Sequence, residues 1–179
     1  RKILFGCFKR KLTNEVKVAQ LAGYISEHSA YHHGEMSLKG AIIGMAQEFV
    51  GSNNIALLEP RGQFGSRLQG GNDAARDRYI FTQLNSLTAS IYSVNDSPIL
   101  NYLDDDGTSV EPEYYLPIIP MILVNGGKGI GTGFSYEGLP YHPMNIIKAL
   151  KSKIQQPEIA APDAGLPYYE GFKLSLIHI

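Results

Sequence analysis

Three stretches of helical periodicity, then two short apolar runs around a long glycine-punctuated loop, leave the first half of this 179-residue chain few folds to choose from. Residues 1–11 are basic with an apolar centre (Ile3, Leu4, Phe5, Phe8) and predict the end of a helix. Asn14 and Glu15 open a second helix, in which Val18, Leu21, Ala22 and Ile25 repeat at i, i+3, i+4 and i+7. A polar turn over 28–34 leads to a third helix over 37–50, with Leu38, Ile42, Met45, Ala46 and Phe49 on one face and Gly51 as its stop. A strand is predicted over 55–58, broken by Glu59-Pro60-Arg61-Gly62, and a second over 79–84. Helix, helix, helix, then two strands around a polar loop is the order of a winged helix, with 28–34 as the turn before the recognition helix. A short helix over 86–92 closes this module, and Ser93-Val94-Asn95-Asp96 marks a boundary.

The remainder reads as an incomplete α/β part. Asp104-Asp105-Asp106 has no downstream ligand pattern and is a solvated turn rather than a calcium loop. Residues 118–124, IIPMILV, predict a buried strand, 126–133 a glycine loop, 134–143 an irregular stretch and 142–154 a helix. The glycine run invites a phosphate-binding reading. No helix starts promptly after it, no acid follows at ribose-binding distance, and Gly129 stands where a P-loop needs Ser or Thr after Lys128. Ile130 is the single apolar side chain in that run; it serves either as core filler or, presented to solvent, as a wedge between base steps.

Charge is distributed unevenly. Net charge is −1, yet residues 1–80 hold eleven Lys and Arg against seven Asp and Glu, whereas 81–179 hold five against ten. All six arginines lie in the first part, which suggests a basic face for a polyanion there. The lone Cys7 excludes an internal disulfide and a cysteine-based zinc site. His32-His33 lacks further ligands, so no metal site is predicted; a histidine at such a junction can instead donate to a phosphate. No run approaches the ~18 apolar residues of a membrane helix, and no signal peptide is visible.

The chemistry concentrates in 70–82, GGNDAARDRYIFT. Gly70 and Gly71 give a flexible approach, Arg76 and Arg78 follow, and alternation would place Tyr79 and Phe81 on one strand face. A phenol is a poor nucleophile at neutral pH without help, and Arg78 could supply it by neutralising a phosphate under attack. The same tyrosine would serve equally as a half-buried strand residue. Gln63-Phe64-Gly65-Ser66-Arg67 carries donors for phosphate contacts and nothing that specifies bases.

Taken in order, several stretches resemble the eukaryotic-type II DNA topoisomerases. They are FKR at 8–10, KVAQLAG at 17–23, AYHHGEMSL at 30–38, FVGSNN at 49–54 and GQFGSR at 62–67. RYIFT at 78–82, VEPEYYLPIIPMILVNG at 110–126 and GIGTG at 129–133 complete the set, which spans about three-quarters of the chain. The resemblance implies an α+β fold: a catalytic winged helix over 1–94 and the start of an α/β tower over 95–179. It implies that Tyr79 cleaves DNA through a 5′-phosphotyrosyl link, with Arg78 and His33 assisting at the scissile phosphate. Ile130 would intercalate and bend the DNA, and Arg67, Gln63, Lys17 and His32 would contact it. Double-stranded DNA, a homodimer and a nuclear location follow from the same resemblance. So do Mg²⁺ and ATP in the full-length enzyme. No EGDSA or DxDxD pattern and no ATPase module is present, so both would be bound by other domains and this chain alone would be inactive. Lys128 stands where the family often has an acid and Asn72 where a lysine is frequent, while Arg76-Asp77 fills a variable site. The start on Arg1 reads as a fragment, and the tail 174–179, LSLIHI, departs from the pattern like a junction or sequencing scar. The competing reading is a non-catalytic winged-helix DNA-binding module with a structural tyrosine.

Overall fold

The computed structural model describes residues 1–159 and 163–173; the tail at 174–179 lies outside the described residues. The chain is a mixed helix and strand protein in two compact units, Arg1–Phe49 with Ala56–Ile118, and Val50–Ile55 with the described residues from Ile119 onward. Residues 95–118, which follow the expected boundary at 93–96, pack within the first unit.

In the first unit, helix α1 (Lys2–Arg10) turns its apolar side inward and stops at Lys11, whose left-handed backbone (φ 51°) ends the last turn. Strand β1 (Val16–Lys17) precedes α2 (Val18–His28), so the second helix starts later than Asn14 suggests. The physical reason is non-local: Val16 and Lys17 pair antiparallel with Thr82 and Phe81 of β3 (Phe81–Leu84), and a residue committed to a ladder cannot start a helix. Helix α3 (Glu35–Ala46) ends four residues before the predicted last helical position, 50. Its cap residue Gln47 goes extended and donates its side-chain amide to the Phe64 carbonyl at 2.8 Å.

Strand β2 (Leu58–Arg61) replaces the predicted run over 55–58 and pairs with β3, giving the order β1-β3-β2. Pro60 is tolerated because β2 lies at the sheet edge. Ile55 instead exchanges two 2.9 Å hydrogen bonds with the side-chain amide of Asn125, which takes the place of a neighbouring strand. Leu21, Ile25, Ile42, Leu58 and Ile80 fill the core between these helices and the sheet. Cys7 joins them fully buried, and burial pushes its thiol up to about 12, so it is a packing residue rather than a reactive one. Helix α4 (Thr88–Ile91), a 3₁₀ turn (Val94–Ile99) and the hairpin β4 (Tyr102–Asp105)–β5 (Thr108–Pro112) complete the unit. The hairpin turn is closed by the Gly107 N–H donating to Asp104 Oδ1 at 3.0 Å, consistent with the solvated acidic turn. Buried Glu111 on β5 is paired with Lys2 of α1 at 2.9 Å.

The second unit corrects two expectations. Residues 118–124 are not a buried strand: α5 (Met121–Asn125) occupies most of them, and Ile118 and Ile122 are 64% and 53% exposed. Pro120 decides the matter. It has no N–H for a ladder, but its carbonyl accepts from the Leu123 and Val124 N–H groups and so starts a helical turn. The glycine run and the stretch after it are not a loop either, but a hairpin of β6 (Gly127–Gly131) and β7 (Phe134–Gly138). A phosphate loop needs a helix behind its glycines, and a strand occupies that place. Helix α6 (Pro143–Gln155) follows where expected, capped by the His142 ring accepting from the Met144 N–H. Ile119, Val124 and Ile146 form this unit's core. Among the described residues no helix is long and apolar enough to cross a membrane.

Candidate nucleic-acid interface

The segment around Tyr79 is built as a short exposed span between two fixed points. On its C-terminal side Ile80 is 1% exposed in the core, and its carbonyl accepts from the Val18 N–H at 3.0 Å. On its N-terminal side the Asp77 carbonyl accepts from the Ala19 N–H at 3.2 Å, and the Asp77 carboxylate meets Lys39 Nζ at 2.9 Å. Both α2 and α3 therefore hold the turn. Within it the Tyr79 N–H donates to the Arg76 carbonyl at 2.9 Å. Tyr79 accordingly lies in a turn ahead of β3 and not on the strand face with Phe81, which is why the residue is 65% exposed. The Arg78 guanidinium lies 5.0 Å from the Tyr79 ring centroid, a cation–π contact that orients both groups.

The other predicted residues are distributed over several elements. His33 sits in the turn before α3, exposed, with its ring edge-on to Tyr31 at 5.6 Å. Among the described residues no hydrogen bond joins His33 to Arg78 or Tyr79. His32 is 79% exposed and its Nε2 lies 3.2 Å from the Asp105 carboxylate on β4. Lys17 projects from β1 with its ammonium 5.9 Å from the Phe81 ring centroid, beside the start of β3.

Gln63 and Arg67 are exposed on the loop between β2 and β3, which is more ordered than its glycines suggest. Phe64 anchors the loop in the core at 4% exposure, and the Gln63 carbonyl accepts from the Ala75 N–H at 2.9 Å. The Ser66 N–H donates to Asp73 at 2.7 Å, and hydrogen bonds from Ser66 hold the Asp73 carboxyl below its ordinary value. In the second unit Ile130 is 83% exposed on β6, so it does not serve as core filler.

Sequence reasoning missed Lys39 and Asp77. Lys39 lies 3.0 Å from Glu35 and 2.9 Å from Asp77, and hydrogen bonds to Asp77 first and Glu35 second raise its ammonium above lysine's ordinary value. The i,i+4 spacing to Glu35 was legible, whereas the partner 38 positions away was not. Among the described residues no group of three or more His, Cys, Asp or Glu could hold a metal ion. A cavity of about 470 Å³ lined by Phe5, Phe8, Tyr92 and Tyr115 contains none of the predicted site residues. Within the first unit Lys17, His32, His33, Gln63, Arg67, Arg78 and Tyr79 are each exposed rather than enclosed in a cavity.

Comparison with known proteins bears on this surface. The family model describing the A subunit of DNA gyrase/topoisomerase IV matches residues 1–178. DNA topoisomerase 2 of Plasmodium falciparum is 57% identical over 174 residues, 97% of this chain and 12% of that protein. The Saccharomyces cerevisiae DNA topoisomerase 2 is 57% identical over 159 residues, 89% of this chain and 11% of the relative. A Dictyostelium discoideum relative named as mitochondrial is 52% identical over 173 residues, 97% of this chain and 13% of its own length. The crystal structure of the Plasmodium falciparum topoisomerase II DNA-binding, cleavage and re-ligation domain superposes with a TM-score of 0.89 at 58% identity. The match covers 96% of this chain and 23% of that one.

Proposed function

The chain belongs to the DNA gyrase/topoisomerase IV family, and from that premise we propose that it is part of the cleavage-reunion core of a eukaryotic-type II DNA topoisomerase. The observation that carries this reading is an exposed Tyr79 between two anchored residues, with the Arg78 guanidinium 5.0 Å from its ring. The helices α1–α3 and the sheet β1-β3-β2 serve as a catalytic winged helix, and the second unit, from Ile119 onward, opens a tower. Tyr79 Oη passes its proton to solvent water and attacks a scissile phosphorus. One P–O bond forms as another breaks, the 3′ oxygen leaves and takes up a proton, and the 5′ phosphate stays on the tyrosine. Because an ester replaces an ester, reversal reseals the strand without further energy. Arg78 and His33 stabilise the charged phosphoryl group in flight. Arg67, Gln63, Lys17 and His32 hold the phosphate backbone, and Ile130 wedges between base steps.

The intact enzyme acts on double-stranded DNA as a homodimer in the nucleus, and it uses Mg²⁺ and ATP. As the resemblance implies, Mg²⁺ would be held by ligands in a separate domain of the parent protein, and no step above passes through it. The 179 residues alone are accordingly inactive in this reading.

The test is to trap the adduct. Intact parent protein is reacted with DNA and Mg²⁺, quenched with detergent and digested, and the nucleotide-bearing peptide is sequenced by mass spectrometry. The expected result is a nucleotide on Tyr79 with the DNA 5′ ends blocked. A nucleotide on another residue overturns the assignment, and DNA binding without any adduct leaves the non-catalytic binding module as the better account.

Ile130→Ala gives a second expectation. A wedge of this kind kinks DNA by roughly 20–90°, whereas phosphate contacts supply most of the affinity. Energy transfer between labelled DNA ends should therefore show most of the bend lost while affinity falls by no more than about tenfold. An unchanged bend removes Ile130 from the interface.

A further inference from the structure

We propose that Lys39 is a positioning residue that fixes the aim of Tyr79 through Asp77, an inference that rests on Tyr79 being the nucleophile. Only Arg78 and Tyr79 lie between the two anchors of the turn. The anchor after them is apolar: Ile80, 1% exposed, cannot shift without opening the core. The anchor before them is polar. The Asp77 carbonyl is held by the Ala19 N–H, and the Asp77 carboxylate by Lys39 of α3. The ion pair is partly shielded, with side chains 18% and 23% exposed, so solvent screens it less than an exposed surface pair. Lys39 is steadied in turn by Glu35 one helical turn earlier. Without the Lys39 bridge Asp77 keeps, among the described residues, its backbone hydrogen bond to Ala19 and no side-chain tie, and Tyr79 Oη can swing relative to the scissile phosphate. Misplacement of a reacting group by about 1 Å costs on the order of a hundredfold in rate.

The experiment uses the intact parent enzyme in four variants: Lys39→Met, Lys39→Arg, Asp77→Asn and the Lys39→Met/Asp77→Asn double. Tyr79→Phe serves as the control. Single-turnover cleavage, DNA affinity and ATP turnover are measured for each. The expected result is that Lys39→Met and Asp77→Asn each slow cleavage about ten- to hundredfold. DNA affinity and ATP turnover should stay at wild-type level. The double variant should lose no more than either single one, and Lys39→Arg should recover most of the rate. Cleavage at the wild-type rate in Lys39→Met overturns the inference while Tyr79 stands as nucleophile. Parallel loss of cleavage, affinity and ATP turnover, or additive losses in the double variant, also overturns it, because Lys39 is then only supporting the fold. If Tyr79→Phe itself still forms the adduct, the reading of the site fails first and the Lys39 inference fails with it.

Discussion

Tyr79→Phe in the intact parent protein is expected to abolish protein-linked DNA while leaving DNA affinity within about twofold of wild type. The substitution removes one oxygen. Because the residue is 65% exposed and its hydroxyl has no hydrogen-bond partner among the described residues, the fold loses almost nothing. Exposed substitutions of this kind stay within about 0.5 kcal/mol. The ring itself remains for Arg78 to lie against, so the guanidinium keeps its place. What disappears is the atom that must bond to phosphorus. Loss of a covalent nucleophile costs on the order of 10⁴ or more in rate, far beyond anything repositioning could produce. Detergent-quenched adduct on end-labelled DNA and a filter-binding isotherm, run on the same preparations, separate the two quantities. Adduct at wild-type level in Tyr79→Phe would mean that another residue attacks. Loss of adduct together with affinity would mean that the hydroxyl binds DNA rather than cleaves it.

How much of this was legible in advance follows from where each element gets its stability. Helix α2 was readable because Val18, Leu21, Ala22 and Ile25 repeat along one stripe that is buried, whereas α6 was readable as a helix but buries Ile146 and leaves Met144 and Ile154 exposed. Elements whose conformation depends on a distant group were misplaced. Ile55 was expected on a strand, and the group that satisfies its backbone is the Asn125 side chain, 70 positions away. Val16 and Lys17 gave up the first turn of a helix to pair with Thr82 and Phe81. The glycine run 127–131 has almost no strand propensity of its own, and the residues that favour a hairpin, Phe134 and Tyr136, sit on the opposite strand. The candidate site shows the same division. That Tyr79 stands beside an arginine was visible in the sequence. That it occupies a turn, tied to α2 by Ala19 and to α3 by Lys39, required the fold.

Gly65→Ala is expected to carry the largest stability effect, of roughly 2–4 kcal/mol localised to the loop between β2 and β3. Two costs combine at this position. Gly65 has φ +101°, where a side chain is strained, and a Cβ built on it would lie 2.6 Å from Gly71 Cα and 2.7 Å from the Gly71 carbonyl oxygen. Both obstructing atoms are backbone, so no rotamer change relieves the contact. Nor can Gly71 retreat freely, since its N–H is bonded to the Ser66 carbonyl at 2.9 Å and a Cβ on Gly71 would already meet Gln47 Nε2 at 2.5 Å. Gly70→Ala separates the two costs: its φ is also positive, at +59°, but nothing lies within 4 Å of the added carbon. Strain alone there costs about 1 kcal/mol. Amide hydrogen exchange in the intact protein should therefore accelerate about 30-fold or more over residues 62–75 in Gly65→Ala, and only about fivefold in Gly70→Ala. The loop carries Gln63 and Arg67, so its opening should also weaken DNA binding and flatten the salt dependence. Equal exchange in the two variants would show that the Gly65–Gly71 approach is not what closes the loop, and would leave Phe64 and the Ser66–Asp73 bond to hold it.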